Sequence, residues 1–529
     1  MTDEVFQKKL QYIKATPAFL NSLSLQSRGI EKESLRTDQY FHLAQSAHPK
    51  SLGSALCHPQ ITNDFSEAQI EMITPVHDRI DTCLYDLHKV HQFTYQQIAQ
   101  QHETLWPSSM PCPLEGETKI PIAHFGNSNV AKMKTTYRNG LGHRYNRAMQ
   151  TISGIHYNFS LNQNFFVHLQ KSLNDSQPHS EFKTQQYFNL IRNFHRYSPI
   201  FVYLFGASPA FDESFIQDMK ISQNRFRRYN KTLYLPKSTS LRLSDIGYTS
   251  QAQESIHIDY NDLNNYTESL REAIKTPFDA YTKIGLKHQH DYKQLNTALL
   301  QIENEFYGPI RPKRVCASGE APINALNRGG VQYVEVRCVD VDPFKMMGVD
   351  SETILFLDML LIYCLIKESP LFSETDLQVN HENLQQVISS GREPDLYIQN
   401  PTTFKNESFQ NWALNTLKEI QQLAEMLDGL QAETPYQNNI KQQTAKIHNS
   451  QLTPSAKVLE AIMGHGDFTD FVSSQAQTWQ QYFLQRPLSQ NSEASFRLAV
   501  ENSLAQQNTI EATDNMSFTE YLHHYFEQY

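Results

Sequence analysis

GVQYVEVRCVD (Gly330–Asp340) decides how the chain is read. Apolar and polar residues alternate along it, and in an extended strand successive side chains point to opposite faces. Val334, Val336 and Cys338 therefore share one face, and Tyr333, Glu335 and Arg337 share the other. The pattern recurs toward the N-terminus. GIHYNFSL (Gly154–Leu161) sets Ile155, Tyr157 and Phe159 against His156, Asn158 and Ser160. LQIENEFYGP (Leu300–Pro309) sets Ile302 and Phe306 against Glu303, Glu305 and Tyr307, and SLRLSDIGYT (Ser240–Thr249) sets Leu241 and Leu243 against Arg242 and Ser244. In RGIEKESLR (Arg28–Arg36), Glu31 and Glu33 sit two apart and project together. Each segment is read as a strand with one apolar face.

A sheet with its polar face in water accounts for any one of these strands. It fits the set less well, because the polar positions repeat Glu, Arg, His and Tyr, types that hold metals and clamp phosphates. Two like charges 4 Å apart repel by about 4 kcal/mol at an effective dielectric near 20. A face gathering Glu31, Glu33, Asp64, Glu71 and Glu335 therefore needs cations or protons. Oxygen donors with one histidine and no thiolate suit magnesium, or manganese. Interleaved Arg138, Arg242 and Arg337 suggest an anionic ligand beside the metal, and nucleotide phosphates meet both requirements.

The 529 residues hold 46 Lys+Arg against 56 Asp+Glu, a net charge of −10 that argues against nucleic-acid binding or an anionic membrane surface. Thirty Phe and 26 Tyr are too many aromatics for a disordered chain. Six cysteines without a Cys-x-x-Cys pair suggest neither a disulfide scaffold nor a thiolate zinc site, and a cytoplasmic location is expected. The first thirty residues show no signal-peptide pattern. ILFLDMLLIYCLI (Ile354–Ile366) falls short of the ~20 residues of a membrane span and reads as a buried helix.

The strand-like segments lie before residue 345, whereas stretches such as WALNTLKEIQQLAEMLDGL (Trp412–Leu430) have helical spacing. An α+β catalytic core over 1–350 and a mostly helical region over 351–529, packed on that core, are expected. Gln431–Ser455 and Arg486–Asp514 read as loops or surface helices. No P-loop, dinucleotide fingerprint, H-E-x-x-H or G-x-S-x-G is present, so a nucleotide must be held some other way.

A series of ordered motifs carries a resemblance. RGIEKESLR, TNDFSEAQIEMITP (Thr62–Pro75), WPSSMPC (Trp106–Cys112) and FGNSNVAKMKTTYRNGLGHRYNRAMQTISGIHYNFS (Phe125–Ser160) come first. YLFGASPA (Tyr203–Ala210), YLPKSTSLRLSDIGYTS (Tyr234–Ser250), QIENEFYGPIRPKR (Gln301–Arg314) and GGVQYVEVRCVDVDPF (Gly329–Phe344) follow. Together they resemble the proteobacterial-type glutamate–cysteine ligases, densely over residues 15–350 and beyond that only in fragments such as SGREPDL (Ser390–Leu396) and LTPSAKVL (Leu452–Leu459).

The resemblance implies a glutamine-synthetase-like antiparallel sheet whose polar face lines a funnel-shaped active site. It implies ATP-dependent ligation of the L-glutamate γ-carboxylate to the L-cysteine amine through a γ-glutamyl phosphate, the first step of glutathione biosynthesis. Magnesium, or manganese, is the implied metal and ATP the co-substrate. Glu31, Glu33, Asp64, Glu71, His156 and Glu335 match metal ligands; Phe65, Tyr137, Arg242, Tyr248 and Tyr307 match the cysteine pocket; Arg138, next to Tyr137, is a candidate for contact with ATP phosphate. Arg337 is assigned to ATP phosphate or the developing acyl phosphate, as the catalytic cation. Glu67 receives no role, and the run Arg311, Lys313, Arg314 is read as a solvated face. A monomer that stops at γ-glutamylcysteine, using small-molecule substrates and neither nucleic acid nor membrane, is expected.

Overall fold

The computed structural model describes residues 4–247 and 256–529. Its centre is a seven-stranded sheet built from β1 (Gln26–Thr37), β2 (Ile61–Asn63), β3 (Gln69–Ile73), β4 (Thr104–Leu105), β5 (Ile155–Leu161), β6 (Ile310–Lys313) and β7 (Tyr333–Val339). The order is β6-β7-β5-β1-β3-β2, with β4 on the end of β1, and every pairing is antiparallel. The alternation in RGIEKESLR, GIHYNFSL and GVQYVEVRCVD is thus realised as three adjacent strands.

Two of the expected strands are turns instead. Glu303–Glu305 and Leu241–Leu243 form single turns of 3-10 helix. The polar residues that alternation put on one face of LQIENEFYGP serve different partners. Glu303 accepts from the Ile323 amide, whereas Glu305 pairs with Arg144, and the chain turns to reach both. At Leu241 the amide bonds the Ser208 carbonyl and Ser240 Oγ bonds Asp340, which rolls that segment out of extended geometry.

The apolar sheet face carries Ile30, Ile70, Met72, Ile155, Tyr157, Phe159, Val334 and Val336, all buried. It packs against α1 (Ile80–Ile98) and α3 (His179–Phe205), while α2 (Asn129–Tyr145) flanks the other face. α4 (Ser351–Ile366) is the apolar stretch read as a core helix, and it packs on α1 and α3. Its one buried charge, Asp358, meets Arg28 Nη2 of β1 at 3.0 Å and the Tyr157 hydroxyl of β5 at 2.5 Å. Gln26 Oε1, the Asp78 carbonyl and the Tyr157 hydroxyl also accept from this guanidinium. This buried pair joins the sheet to the helical layer.

Beyond α4 the chain is helical: α5 (Phe409–Asp428), α6 (Pro435–His448), α7 (Phe468–Leu484), α8 (Gln490–Thr513) and α9 (Phe518–Phe526) lead to the C-terminus, interrupted by a short hairpin of Tyr397–Gln399 with Asn406–Ser408. The polar stretches around 431–455 and 486–514 hold α6 and α8. Phe483 of α7 stacks on Tyr95 of α1 at 4.9 Å between centroids, so the helical region packs on the front of the chain. Among the described residues no helix is long and apolar enough to cross a membrane. The six cysteines are free thiols.

Asp358→Asn leaves the Arg28 guanidinium buried without its counter-charge, and unpairing a buried ion costs about 3–5 kcal/mol. Equilibrium unfolding in urea should show that loss; a midpoint equal to the parent's would mean that the pair does not hold the two layers together.

Candidate active site

The register of the sheet brings distant acids together. Glu33 of β1 lies opposite Glu71 of β3, Glu31 of β1 opposite His156 of β5, and Glu335 of β7 opposite Asn158 of β5. On the edge strand β6, Arg311 lies opposite Glu335, and Lys313 two residues on shares its face. All of these except Asn158 line one cavity of about 260 Å³, which also takes in Asp64, Phe65, Tyr137, Arg138, Tyr307 and Arg337.

His156 sits among three of the acids: its Nδ1 is 3.4 Å from Glu31 Oε2 and 3.7 Å from Glu335 Oε1, and its Nε2 is 3.6 Å from Glu33 Oε1. Asn158 Nδ2 holds Glu31 Oε1 at 2.8 Å, and the Gly154 amide donates to Glu33 Oε2 at 2.7 Å. Glu31, Glu71 and His156 each offer a ligand atom within 4.8 Å of the others. Carboxylate oxygens with one imidazole, and no thiolate among the described lining residues, form a donor set suited to hard divalent ions. The residues therefore fit magnesium or manganese.

Electrostatics shows why charge is needed there. Burial, then the nearby Asp64 carboxylate, pushes Glu33 up to about 8 despite Arg242 and the Gly154 amide. Glu71 is raised well above the usual range by burial and by Glu31, Asp64 and Glu33. Glu335 behaves oppositely: burial works against its charge, but Lys313, Arg337 and His156 hold it well below the ordinary value. Burial also opposes charge on Glu31, yet His156 keeps it low, while burial and Arg337 lower His156 itself. One side of the cavity is thus neutralised by protein cations and the other awaits them.

A bulge aims the catalytic-cation candidate. The pairing of β7 with β5 shifts by one residue between Val336 and Val339, opposite His156. Bulges turn side chains and sharpen local twist. Arg337 falls in this bulge and extends into the cavity, its Nη1 3.3 Å from Glu335 Oε2. Arg242 sits beneath: its Nη2 donates to the Arg337 carbonyl at 2.8 Å and its Nη1 lies 3.6 Å from Asp340. Asp340 also accepts from the Ala207 amide at 2.8 Å and from Ser240 Oγ at 2.9 Å. Gly154 is required at this crossing, since a Cβ there would fall 2.0 Å from Arg242 Nη2.

Arg242 is not among the described residues that line this cavity. It is fully buried, drawn behind the bulge by Asp340 and the Arg337 carbonyl. Tyr248 lies outside the described residues. The other site residues named from the sequence line the cavity together: Glu31, Glu33, Asp64, Glu71, His156, Glu335, Phe65, Tyr137, Tyr307, Arg138 and Arg337. Arg138 is anchored to backbone carbonyls, with Nη1 at 3.0 Å from Lys134 O and its guanidinium over the Phe125 ring at 4.4 Å. Arg311 and Lys313 correct the solvated-face reading, being cavity residues, with Lys313 Nζ 3.7 Å from Glu335. Their two-residue spacing was the available signal. Pro312 obscured it, because proline marks edge strands, and β6 is one. Arg314 turns away to the carbonyls of Gly329 and Gly330. Glu67 holds the backbone amides of His48 and His124, a structural task.

The family model for glutamate–cysteine ligase matches residues 11–387. The chain belongs to the glutamate–cysteine ligase family. It is 43% identical over 505 residues to the glutamate–cysteine ligase of Alcanivorax borkumensis, covering 94% of this chain and 95% of that one. It superposes with a TM-score of 0.88 on the crystal structure of a glutamate–cysteine ligase from Francisella tularensis in complex with AMP, at 33% identity, covering 95% of this chain and 97% of that one. A bifunctional glutathione synthetase from Pasteurella multocida shares the fold at 21% identity and a TM-score of 0.73, with 93% of this chain matching 58% of that one. The α+β antiparallel architecture expected from the resemblance is thus the family's own.

The raised acids give a pH signature. A carboxyl whose folded value lies above its unfolded one supports stability that is present below about pH 4.5 and lost as pH rises through the folded value, here about 8 for Glu33. In chelator the protein should melt lower on going from about pH 6 to about pH 8.5, and added magnesium should restore more at the higher pH. Thermal melts at both pH values, with and without magnesium, check this. An equal magnesium increment at the two would take Glu33 and Glu71 out of the cation's surroundings.

Proposed function

We propose that this cavity ligates the γ-carboxylate of L-glutamate to the amine of L-cysteine, converting ATP to ADP and phosphate. The observation that carries the reading is the convergence of Glu31, Glu33, Glu71, His156, Glu335 and Arg337 from four strands on one polar sheet face, in a chain of this family.

The chemistry suits that face. A carboxylate resists attack by an amine because it is already anionic. Transfer of the γ-phosphoryl group to a glutamate oxygen, with ADP leaving, gives an acyl phosphate. The cysteine nitrogen then attacks the acyl carbon, the carbon–oxygen bond to phosphate breaks, and the nitrogen gives up a proton. Phosphoryl transfer asks the protein mainly for positioning and charge neutralisation. Divalent ions held there would supply positive charge against the charge that develops on the phosphates. Glu31, Glu33, Asp64, Glu71, His156 and Glu335 are the residues to hold those ions.

Arg337 is assigned to the transferred phosphoryl group, since the bulge projects it beside Glu335. Arg311, Lys313 and Arg138 add positive charge to the same cavity. Phe65, Tyr137 and Tyr307 are assigned to the cysteine pocket: aromatic walls suit a small thiol-bearing side chain. Arg242 is kept with that pocket as the cation for the cysteine carboxylate, and it also holds the Arg337 carbonyl. We assign the helical region 351–529 to support of the 1–350 catalytic core, and the enzyme to the cytoplasm as a monomer.

Mass analysis of the products from glutamate, cysteine and magnesium-ATP should show γ-glutamylcysteine with one ADP for each peptide bond. ADP release that ignores cysteine would refute the proposed acceptor. Glu335→Gln removes a buried ligand charge and should lower kcat at least about a hundredfold while the protein stays folded, in line with lost metal ligation or transition-state charge. Arg337→Ala should depress kcat far more than cysteine affinity. A rise in cysteine KM alone would move Arg337 from the phosphate to the amine.

A further inference from the structure

The proposed cysteine pocket has a wall that the sheet does not build. Tyr137 and Arg138 come from α2, and Tyr307 comes from the turn around Glu303–Glu305. No ladder of strand hydrogen bonds joins these two elements, so side chains must fix their spacing. Gln301 Nε2 donates to the Tyr137 carbonyl at 3.1 Å, and Glu305 takes Arg144 Nη1 at 2.8 Å and the Tyr145 hydroxyl at 2.7 Å. That accounts for one side of the turn. Glu303, two residues earlier and equally buried, points the other way.

Its partner is the far end of the chain. Glu303 Oε1 accepts from the Ile323 amide at 3.1 Å, and Oε2 accepts from the hydroxyl of Tyr529, 226 residues away and itself buried. The preceding residue fastens the same corner: Gln528 Oε1 accepts from the Ala321 amide at 2.9 Å, and its Nε2 donates to the Gly319 carbonyl at 2.9 Å.

The segment that delivers these contacts starts on the other element of the wall. Asp514 Oδ1 accepts from Asn129 Nδ2 at 2.6 Å, and that nitrogen also reaches the Met516 carbonyl at 2.8 Å, so the segment is pinned to the first turn of α2. A capping box of Ser517 and Glu520 then starts α9, which lies along α2. Midway, Thr519 bonds the Tyr292 hydroxyl at 3.1 Å, and the Tyr292 carbonyl takes Asn139 Nδ2 of α2 at 3.2 Å. The inter-element hydrogen bonds described for residues 514–529 thus fall on α2, on Tyr292, on Glu303 and on Gly319, Ala321 and Asn324, and none falls on the strands bearing Glu31, Glu71, His156 and Glu335.

We propose that residues 514–529 form a strap that sets the distance between α2 and the Tyr307 turn, with Tyr529 and Glu303 as positioning residues for the amine substrate. This rests on the cysteine-pocket reading of Tyr137 and Tyr307. The physical reason is local. Removing the Tyr529 hydroxyl leaves a buried carboxyl short of a donor, which is resolved by moving the turn or admitting water. Tyr307 moves with it, whereas the acids and Arg337 are fixed by strand register.

Tyr529→Phe deletes only the hydroxyl, and Glu303→Ala deletes its acceptor. Each should raise the KM for cysteine roughly three- to tenfold, with kcat and the KM values for glutamate and ATP within about twofold of the parent. Glu303→Gln keeps an acceptor for the hydroxyl and should recover most of the cysteine affinity. The Tyr529→Phe, Glu303→Ala double variant should be no worse than the poorer single one, since both cut the same link. Unchanged cysteine KM in both single variants overturns the strap, as does a parallel rise in all three KM values with a lower melting temperature. The parent enzyme separates the two readings. If it releases ADP only with cysteine, the pocket stands and the variants judge the strap alone; if it does not, the pocket reading fails and takes the strap with it.

Discussion

Mutual repulsion among carboxylates gathered in one cavity is the constraint around which this molecule is built. Glu31, Glu33, Asp64 and Glu71 share one cavity with Glu335, and at the separations of adjacent strands each added negative charge costs several kcal/mol in a partly dry site. A protein could relieve this by placing arginines between the acids. Here the relief is one-sided. Lys313, Arg337 and Arg311 crowd around Glu335, while Glu33 and Glu71 keep raised affinities for protons. The asymmetry fits a face that takes cations on one flank and an anion on the other, which is the charge pattern of a metal-bound triphosphate beside a carboxylate.

Holding such a face open demands rigidity from what lies behind it. The back of the sheet supplies this with a buried polar knot of Arg28, Tyr157 and Asp358 joining β1, β5 and α4. Near the end of β7, Asp340 gathers the Ala207 amide, Ser240 and Arg242, and Arg242 in turn holds the carbonyl of Arg337. Buried networks of this kind are costly if any member is left unsatisfied, so they define one arrangement sharply. The arginine that faces the cavity is consequently positioned by one that does not.

What was legible in the sequence follows the same division. Alternation in RGIEKESLR, GIHYNFSL and GVQYVEVRCVD has a single physical meaning, and those strands, their faces and the acids on them could be read directly. The apolar run with Asp358 could be read as a core helix, though not that Arg28 would answer its charge from 330 residues away. LQIENEFYGP and SLRLSDIGYT carry similar alternation yet turn, because their polar residues are bound by partners remote in sequence. Local periodicity holds no record of those partners. Arg311 and Lys313 were hidden by the proline between them, and the residue type of Arg242 does not disclose which carbonyl it serves.

The contrast between strands and turns extends to the chemistry. Most groups assigned to the metal and the phosphates, Glu31, Glu33, Glu71, His156, Glu335 and Arg337, stand on strands whose register fixes them to one another, and a one-residue slip would send them to the opposite face. Of the groups assigned to the amine, Tyr137 and Tyr307 stand on a helix and a turn that side chains join. Phosphoryl transfer punishes small misplacements heavily, so its residues belong on the rigid element. Recognition of a small amino acid tolerates adjustment of its walls. Changes in residues 514–529 can therefore tune which amine is accepted while the strand-borne acids, to which that segment makes no described hydrogen bond, keep their register.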